Sequence, residues 1–220
     1  TNPRLRDEAG DLYLVPREDR VAGPGASYIM AAFTHPPVDG RGGRFNRDFG
    51  VYYCAADEAV AIAESSFHRA RFLRESRIEK TTQEMRVIRA QLGPITLQDV
   101  RHLDGHAICD PDGYGEAQQL GYALRDAKSY GVHYQSVRAE GECYGVMRPR
   151  ALSDAIHWRY LRYHYEQGSV VEVESLDGSG RRGWQCIKTC CGSSPNSRTI
   201  ISSSIPKPPD SLTKTARRIS

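Results

Sequence analysis

The sequence predicts one domain that combines α-helices with short β-strands. Its 220 residues are enough for a single well-packed core and too few for two domains of ordinary size. Short segments rich in β-branched and aromatic residues, typical of strands, are interspersed with two segments of helical periodicity. A hydrophobic content of 39% and a charged content of 26% indicate a globular protein and exclude disorder throughout the chain.

The composition also restricts the compartment. No apolar run approaches the roughly 20 residues that cross a bilayer as a helix, and residues 1–10 are charged where a signal peptide would be apolar. The six cysteines show no spacing typical of a disulfide framework, which suits a reducing compartment. We therefore expect a cytoplasmic protein without membrane contact.

The N-terminal part of the chain leads to a glycine-rich loop that ends at Arg44. Residues 1–27 are polar and contain several Pro and Gly, which indicates a lead-in to the domain. Residues 28–34 (YIMAAFT) form an apolar run of strand length that ends before two prolines, and we interpret it as a buried strand. In the loop that follows, Gly42 and Gly43 allow a sharp turn and so hold Arg44 at a fixed point.

A strand and a helix come next. Residues 50–55 (GVYYCA) are rich in aromatic residues and predict a strand. Residues 58–74 predict a helix, because acidic residues begin it and arginines end it, as the helix dipole favours. Glu64, His68 and Arg71 fall at i, i+4 and i+7, so they share one face of this helix.

The remaining elements are mostly strands. The pattern MRVIRAQL after Glu84 alternates as in a strand, and a short apolar segment with a turn follows at 95–103. Residues 116–128 have helical spacing. The predicted strands beyond this helix are 132–137 and 143–147, joined as a hairpin, and then 157–165 and 169–174.

After Leu176 the composition changes. Residues 177–220 are rich in Ser, Gly and Pro and carry eight basic and two acidic residues, a net charge of +6, whereas residues 1–176 carry 22 basic and 25 acidic residues. We interpret 28–176 as the domain and 177–220 as a basic, poorly packed tail of uncertain order. The tail has no aromatic interleaving or helix-turn-helix pattern, so we expect no nucleic-acid recognition. Inside the mildly acidic domain, Arg44 is the one cation placed for an anion.

Two motifs in the tail carry little weight. Residues 178–183 satisfy GxGxxG, but no helix or second strand follows as a dinucleotide fold requires. Cys186, Cys190 and Cys191 lack a second Cys/His pair at zinc-ligand spacing, and we expect no metal. GxSxG, HExxH and P-loop motifs are absent from the sequence, which removes the commonest hydrolase and NTPase interpretations.

Four dispersed residues then remain as candidates: Arg44, Tyr53, Glu64 and Ser136. An arginine binds pyrophosphate bidentately, a tyrosine stacks on a flat ring, and a carboxylate stabilises the cationic centre formed when an N-glycosidic bond breaks. Spacing alone equally allows a salt bridge between Arg44 and Glu64, a core position for Tyr53 and an ordinary strand hydroxyl for Ser136.

Several motifs together resemble the RES domain, a family named after its Arg, Glu and Ser residues. The motifs are GRFN (43–46), GVYYCA (50–55), AIAE (61–64) with His68, and GVHYQSVR (131–138). The segments AAFTHP (31–36), FHRARFL (67–73) and GECYGVMRPRAL (141–152) are similar to one subgroup. Their order and spacing extend the resemblance over residues 28–176.

The resemblance implies an α+β fold similar to that of ADP-ribosyltransferases, with bent, mostly antiparallel sheets flanked by helices. It implies a bacterial, cytoplasmic toxin of a toxin–antitoxin pair that cleaves the nicotinamide–ribose bond of NAD by phosphorolysis or hydrolysis, with phosphate as a possible co-substrate and no other cofactor. The alternatives are a protein ADP-ribosyltransferase that uses the same site and a catalytically silent NAD-binding module. The implied partners are an Xre-type antitoxin and a second copy of the chain.

The family's functional residues transfer onto positions of this chain. The resemblance implies that Arg44 binds the pyrophosphate, Tyr53 packs against the nicotinamide end, Glu64 stabilises the cationic ribose, and Ser136 bonds the ribose or a phosphate. His68, one turn after Glu64, either orients this carboxylate or balances its charge. Many RES proteins have another arginine where this chain has Ile29 and Met30, so here the resemblance implies no arginine contact to the phosphates from that segment.

Overall fold

The structure is a computed structural model that describes residues 10–37, 42–103 and 106–176, and the backbone of 198–204. The described residues form three α-helices: α1 (Ala26–Thr34), α2 (Glu58–Glu75) and α3 (Gly115–Asp126). The strands are β1 (Tyr52–Ala55), β2 (Lys80–Leu92), β3 (Gln98–Asp99), β4 (Gly131–Gln135), β5 (Glu142–Val146), β6 (Leu152–Glu166), β7 (Ser169–Ser175) and β8 (Arg198–Ser204).

The strands follow the order β3-β4-β5-β1-β8-β2-β6-β7. Only the β3–β4 pair is parallel among these strands. Strand β8 joins two halves of the sheet, because it pairs with β2 from Arg86 to Leu92 and meets β1 at Ala55 alone. Register shifts between β2 and β6 mark bulges, which bend a sheet. The predicted α+β class with mostly antiparallel strands is confirmed.

Helices α1 and α2 cover opposite faces of the sheet. Along β2, Met85 and Val87 belong to the core that includes Val60 of α2, whereas Ile88, Ala90 and Leu92 belong to the core that includes Ile29, Met30 and Phe33 of α1. This alternation follows from the two-residue period of a strand. From Met85 to Leu92, both faces of β2 therefore contribute buried residues to the core.

Most sequence-predicted elements are confirmed. The helix predicted at 58–74 is α2, with Asp57 accepting a hydrogen bond from the backbone N–H of Val60 at its N-cap. The helix predicted at 116–128 is α3, and the predicted hairpin is the antiparallel β4–β5 pair. The strand predicted at 157–165 is longer and begins at Leu152. No helix in the described ranges is long and apolar enough to cross a membrane.

The strand predicted at residues 28–34 is wrong, because this segment lies in helix α1. Its buried residues Ile29, Met30 and Phe33 fall at i, i+1 and i+4, which is one helical face. Ala31 and Ala32 favour a helix, and Gly25 supplies the left-handed backbone, with φ of 78°, that starts it. Short apolar runs fit a buried strand and a buried helix equally well by pattern alone.

The prediction of a poorly packed tail is wrong for residues 198–204. Their backbone forms β8, inside the sheet between β1 and β2. The sequence did not predict this strand because the segment is rich in serine and its pairing with β2 spans more than one hundred residues of chain. The GxGxxG motif at 178–183 and Cys186, Cys190 and Cys191 lie outside the described residues.

The lead-in is packed against the domain from residue 10 onward. Asp19 is 5% exposed and accepts hydrogen bonds at 3.0 Å from Nε of Arg148, while Arg150 lies 3.2 Å from the same carboxylate. Arg148 also donates to the backbone carbonyl of Lys128. A buried carboxylate needs such partners, so Asp19 fixes the N-terminal segment to the turn after β5.

Candidate active site

A cleft of about 610 Å³ lies between α2, β1 and the loop at residues 42–46. Its volume is within the range of ligand sites. Four sequence-predicted residues line it: Arg44, Tyr53, Glu64 and His68. The fifth, Ser136, contacts the cleft through Glu64. The structure therefore brings the five candidates together around one site.

The loop that carries Arg44 is closed by Asn46 and Tyr53. Asn46 Oδ1 accepts hydrogen bonds from the backbone N–H of Gly43 at 2.9 Å and from the Tyr53 hydroxyl at 2.7 Å. The Tyr53 hydroxyl in turn accepts from the backbone N–H of Phe45 at 2.8 Å. Burial raises the pKa of this hydroxyl well above its usual value, against the effect of the Phe45 hydrogen bond and the Arg44 charge, so it stays protonated and donates.

Glycine is required at the start of this loop. A Cβ on Gly42 would lie 1.9 Å from the carbonyl oxygen of Asn46, and one on Gly43 would lie 2.6 Å from the Tyr53 ring. No side chain fits at such distances without moving the backbone or the ring. The two glycines therefore let the loop fold tightly against β1, as the sequence predicted.

Arg44 is 7% exposed and is oriented by backbone carbonyls. Its Nη1 donates to the carbonyl of Asp110 at 2.7 Å and to that of Ile108 at 3.1 Å. The guanidinium carbon lies 5.0 Å from the ring centroid of Tyr114, a cation–π distance. Both carbonyls bond the same nitrogen, so among the described residues these bonds leave Nε and Nη2 as donors for an anion in the cleft.

Glu64 is held by Ser136. The Ser136 hydroxyl donates to Glu64 Oε1 at 2.6 Å, and its oxygen accepts from the backbone N–H groups of Arg138 at 3.1 Å and Ala139 at 3.2 Å. Two incoming N–H groups polarise the hydroxyl and strengthen its bond to the carboxylate. Arg44 and Glu64 thus bond other groups instead of forming the salt bridge that the sequence also allowed.

His68 lines the cleft, and although the residue as a whole is exposed, its ring is partly shielded from water by neighbouring side chains such as Phe67. Loss of water around the ring lowers the pKa of His68, the negative charge of Glu64 raises it, and the charges of Arg138, Arg71 and Arg44 lower it again. The ring also packs edge-on against Phe67 at a centroid distance of 5.5 Å. His68 is electrostatically coupled to Glu64, while the hydrogen bond that orients the carboxylate comes from Ser136.

The floor of the cleft contains groups that stay neutral. Burial raises the pKa of the Tyr134 hydroxyl well above its usual value, and Cys143, Glu64 and Tyr53 raise it further. Burial also raises the pKa of the Cys143 thiol to about 12, with Glu64 adding to the shift. A thiol with such a pKa is a poor nucleophile, so the Glu64 carboxylate is the better candidate for chemistry at this end of the cleft.

Sequence reasoning missed several residues of the cleft. The lining residues that it did not single out include His35, Asn46, Arg69, Tyr114, Tyr134 and Cys143. For Tyr114 the only signal was the turn-rich segment Pro111–Gly115 before α3, which gives no indication that the ring meets Arg44. In the described ranges, no group of three or more His, Cys, Asp or Glu residues is arranged to hold a metal ion.

Comparison with known proteins identifies one family. The family model of the RES domain matches residues 17–166, a range that contains every candidate residue of the cleft. The match begins within the lead-in, close to the buried Asp19. A search of curated proteins finds no match.

Proposed function

The chain belongs to the RES domain family, and on this basis we propose that it is an enzyme that cleaves the nicotinamide–ribose bond of NAD. Membership of the family is consistent with a toxin-type, NAD-related domain. The observation that carries the proposal is the Glu64 carboxylate, which lines the cleft with its Oε1 fixed by the Ser136 hydroxyl at 2.6 Å.

A fixed carboxylate suits this reaction because positive charge develops on the ribose. As the bond between the nicotinamide nitrogen and C1 of the ribose breaks, its electron pair goes to nicotinamide, and the ribose becomes an oxocarbenium-like cation. Glu64 stabilises this cation electrostatically without having to reorient, since Ser136 already holds it. Phosphate or water then attacks C1 and transfers a proton to solvent or to Glu64.

Arg44 and Tyr53 hold the substrate in this proposal. The free N–H groups of Arg44 bind the pyrophosphate, and the carbonyls of Ile108 and Asp110 keep the guanidinium in place. The Tyr53 ring forms the wall of the cleft against which the nicotinamide end packs. In a cell such a reaction would deplete NAD, as expected of a toxin. We propose that an Xre-type antitoxin restrains this activity and that the chain assembles as a dimer.

The test is nicotinamide release by the purified full chain, freed of any bound protein and supplied with NAD, with and without inorganic phosphate. We expect nicotinamide together with phosphorylated or free ADP-ribose. Glu64→Gln keeps the size of the side chain and its bond to Ser136 but removes the charge, so the rate falls by about two to three powers of ten, as for loss of one transition-state contact. The matched control is Glu172→Gln, on the exposed part of β7, which we expect to react like the wild type.

The outcomes separate the rival functions. NAD left intact by the wild type under both conditions refutes cleavage, and equal rates for the wild type and Glu64→Gln refute the role of the carboxylate. If NAD labelled in its ADP-ribose part leaves the label on a protein band, the chain is a protein ADP-ribosyltransferase. Tight NAD binding without nicotinamide release indicates a silent binding module.

A further inference from the structure

The cleft contains a second tyrosine, Tyr114, whose ring is placed differently from that of Tyr53. The Tyr53 hydroxyl makes two hydrogen bonds within the arginine loop, and Gly43 lies directly against its ring. Tyr114 is half-buried, lines the cleft and has the Arg44 guanidinium at 5.0 Å from its ring centroid. Its ring is thus a second aromatic part of the ligand-facing wall, beside that of Tyr53.

Contacts on both sides of Tyr114 hold it in position. Before it, Arg44 bonds the carbonyl of Asp110, and the Asp110 carboxylate accepts the backbone N–H groups of Asp112 and Gly113. One turn after it, Gln118 Nε2 donates to the carbonyls of Gly43 at 3.1 Å and Asn46 at 3.3 Å. A ring fixed before the ligand arrives binds with a small loss of conformational entropy.

The contact of Tyr114 with Arg44 indicates which ring of the ligand it meets. NAD has two flat rings, and the pyrophosphate lies between the nicotinamide riboside, which contains the bond to be cleaved, and the adenosine. In the proposed function Arg44 binds the pyrophosphate and the Tyr53 ring packs against the nicotinamide end. A second aromatic ring of the cleft, that of Tyr114 on Arg44, is therefore left for the adenine.

Resting on the proposed function, we propose that Tyr114 stacks on the adenine ring of the dinucleotide and makes the site selective for adenine-containing ligands. Tyr114 lines the cleft and is half-buried, so part of its surface is open to a base beside the Arg44 guanidinium, and such stacking tolerates a half-exposed site. Tyr53 and Tyr114 then serve the two flat rings of one substrate.

The test compares two ligands that each keep one half of NAD. ADP-ribose retains the adenine and the pyrophosphate, and nicotinamide mononucleotide lacks the adenine. Titration calorimetry on the full chain is expected to show ADP-ribose binding about tenfold weaker to Tyr114→Leu than to the wild type, the usual effect of losing one stacked base. Tyr114→Phe, which keeps the ring, binds ADP-ribose like the wild type, and nicotinamide mononucleotide binds all three proteins equally.

The proposal is overturned if Tyr114→Leu binds ADP-ribose as tightly as the wild type does, or if the wild type binds no ADP-ribose. It is also overturned if Tyr114→Leu reduces the affinity for nicotinamide mononucleotide as much as the affinity for ADP-ribose. Tyr114→Gln, a second non-aromatic replacement, is measured in parallel so that a folding defect in one variant does not decide the result. Since ADP-ribose binding requires no cleavage, failure here is distinct from failure of the proposed function, which is read from nicotinamide release.

Discussion

The Ser136→Ala substitution tests the part of the site on which the proposed chemistry depends. It removes one donated hydrogen bond, to Glu64 at 2.6 Å, and two accepted ones, from the N–H groups of Arg138 and Ala139. A hydrogen bond to a charged group contributes about 1.5–3 kcal/mol to stability. Each backbone N–H group that is left without an acceptor costs about 1 kcal/mol where water partly reaches it. Together these losses lower the expected free energy of unfolding by about 3.5–5 kcal/mol.

The assay is urea unfolding combined with nicotinamide release. With a denaturant slope of about 2 kcal/mol per molar for a domain of this size, the unfolding midpoint falls by about 2 M. Release slows by about 10- to 100-fold, since the carboxylate loses its orientation at a cost of about 1.4–2.8 kcal/mol. Ser136→Thr keeps the oxygen and restores both properties, and Ser153→Ala, at an exposed serine bonded only to its neighbour Asp154, leaves both unchanged. An unchanged midpoint and rate in Ser136→Ala would refute the reasoning.

Two further predictions concern the arginine loop and a buried histidine. Tyr53→Phe removes the two hydrogen bonds of the hydroxyl, to Asn46 and from Phe45. We expect urea unfolding to show that the free energy of unfolding falls by about 2 kcal/mol. A fall of less than about 0.5 kcal/mol would mean that the arginine loop is closed without these two bonds. Burial lowers the pKa of His133, and Glu142 opposes the shift. As the pH falls, this histidine is therefore protonated in the unfolded chain before it is protonated in the folded protein. Protonation then favours unfolding, so the free energy of unfolding decreases as the pH falls from about 7 to 5. A His133→Asn variant should lose less stability over this pH range than the wild type. Identical pH profiles of stability for the two proteins would contradict the assignment of the effect to His133.

The strands and helices that the sequence predicted correctly are those with a strong local signal. Helix α2 has an acidic start, a basic end and an N-cap at Asp57, and the β4–β5 hairpin has a short turn between two apolar strands. Helix α1 was mistaken for a strand because nine residues contain too few turns to show a helical period. Strand β8 depends on pairing with a distant segment, which no local pattern reports.

The candidate site shows the same division between local and distant information. Motif resemblance located Arg44, Tyr53, Glu64 and Ser136, and the structure brings them to one cleft. It gave no indication of their partners, because the carbonyl that orients Arg44 lies 66 residues away and the hydroxyl that holds Glu64 lies 72 residues away. Tyr114 was missed for that reason, since its place in the cleft depends on how the loop before α3 closes.

Positive charge in the cleft is divided between two arginines on different elements. Ile29 and Met30, which stand where many RES proteins have an arginine, are 1% and 7% exposed within a hydrophobic cluster, so an arginine at either position would place its charge in apolar surroundings. Arg69 of α2 lines the cleft instead, with Nε donating to Gln83 at 3.0 Å and the guanidinium carbon 4.8 Å from the ring of Phe72. A pyrophosphate carries two negative charges, which Arg44 alone would half balance. If the proposed substrate binds here, we expect its attraction to the cleft to depend on Arg44 and Arg69 together; the sequence-based interpretation named only Arg44, whereas both arginines line the cleft.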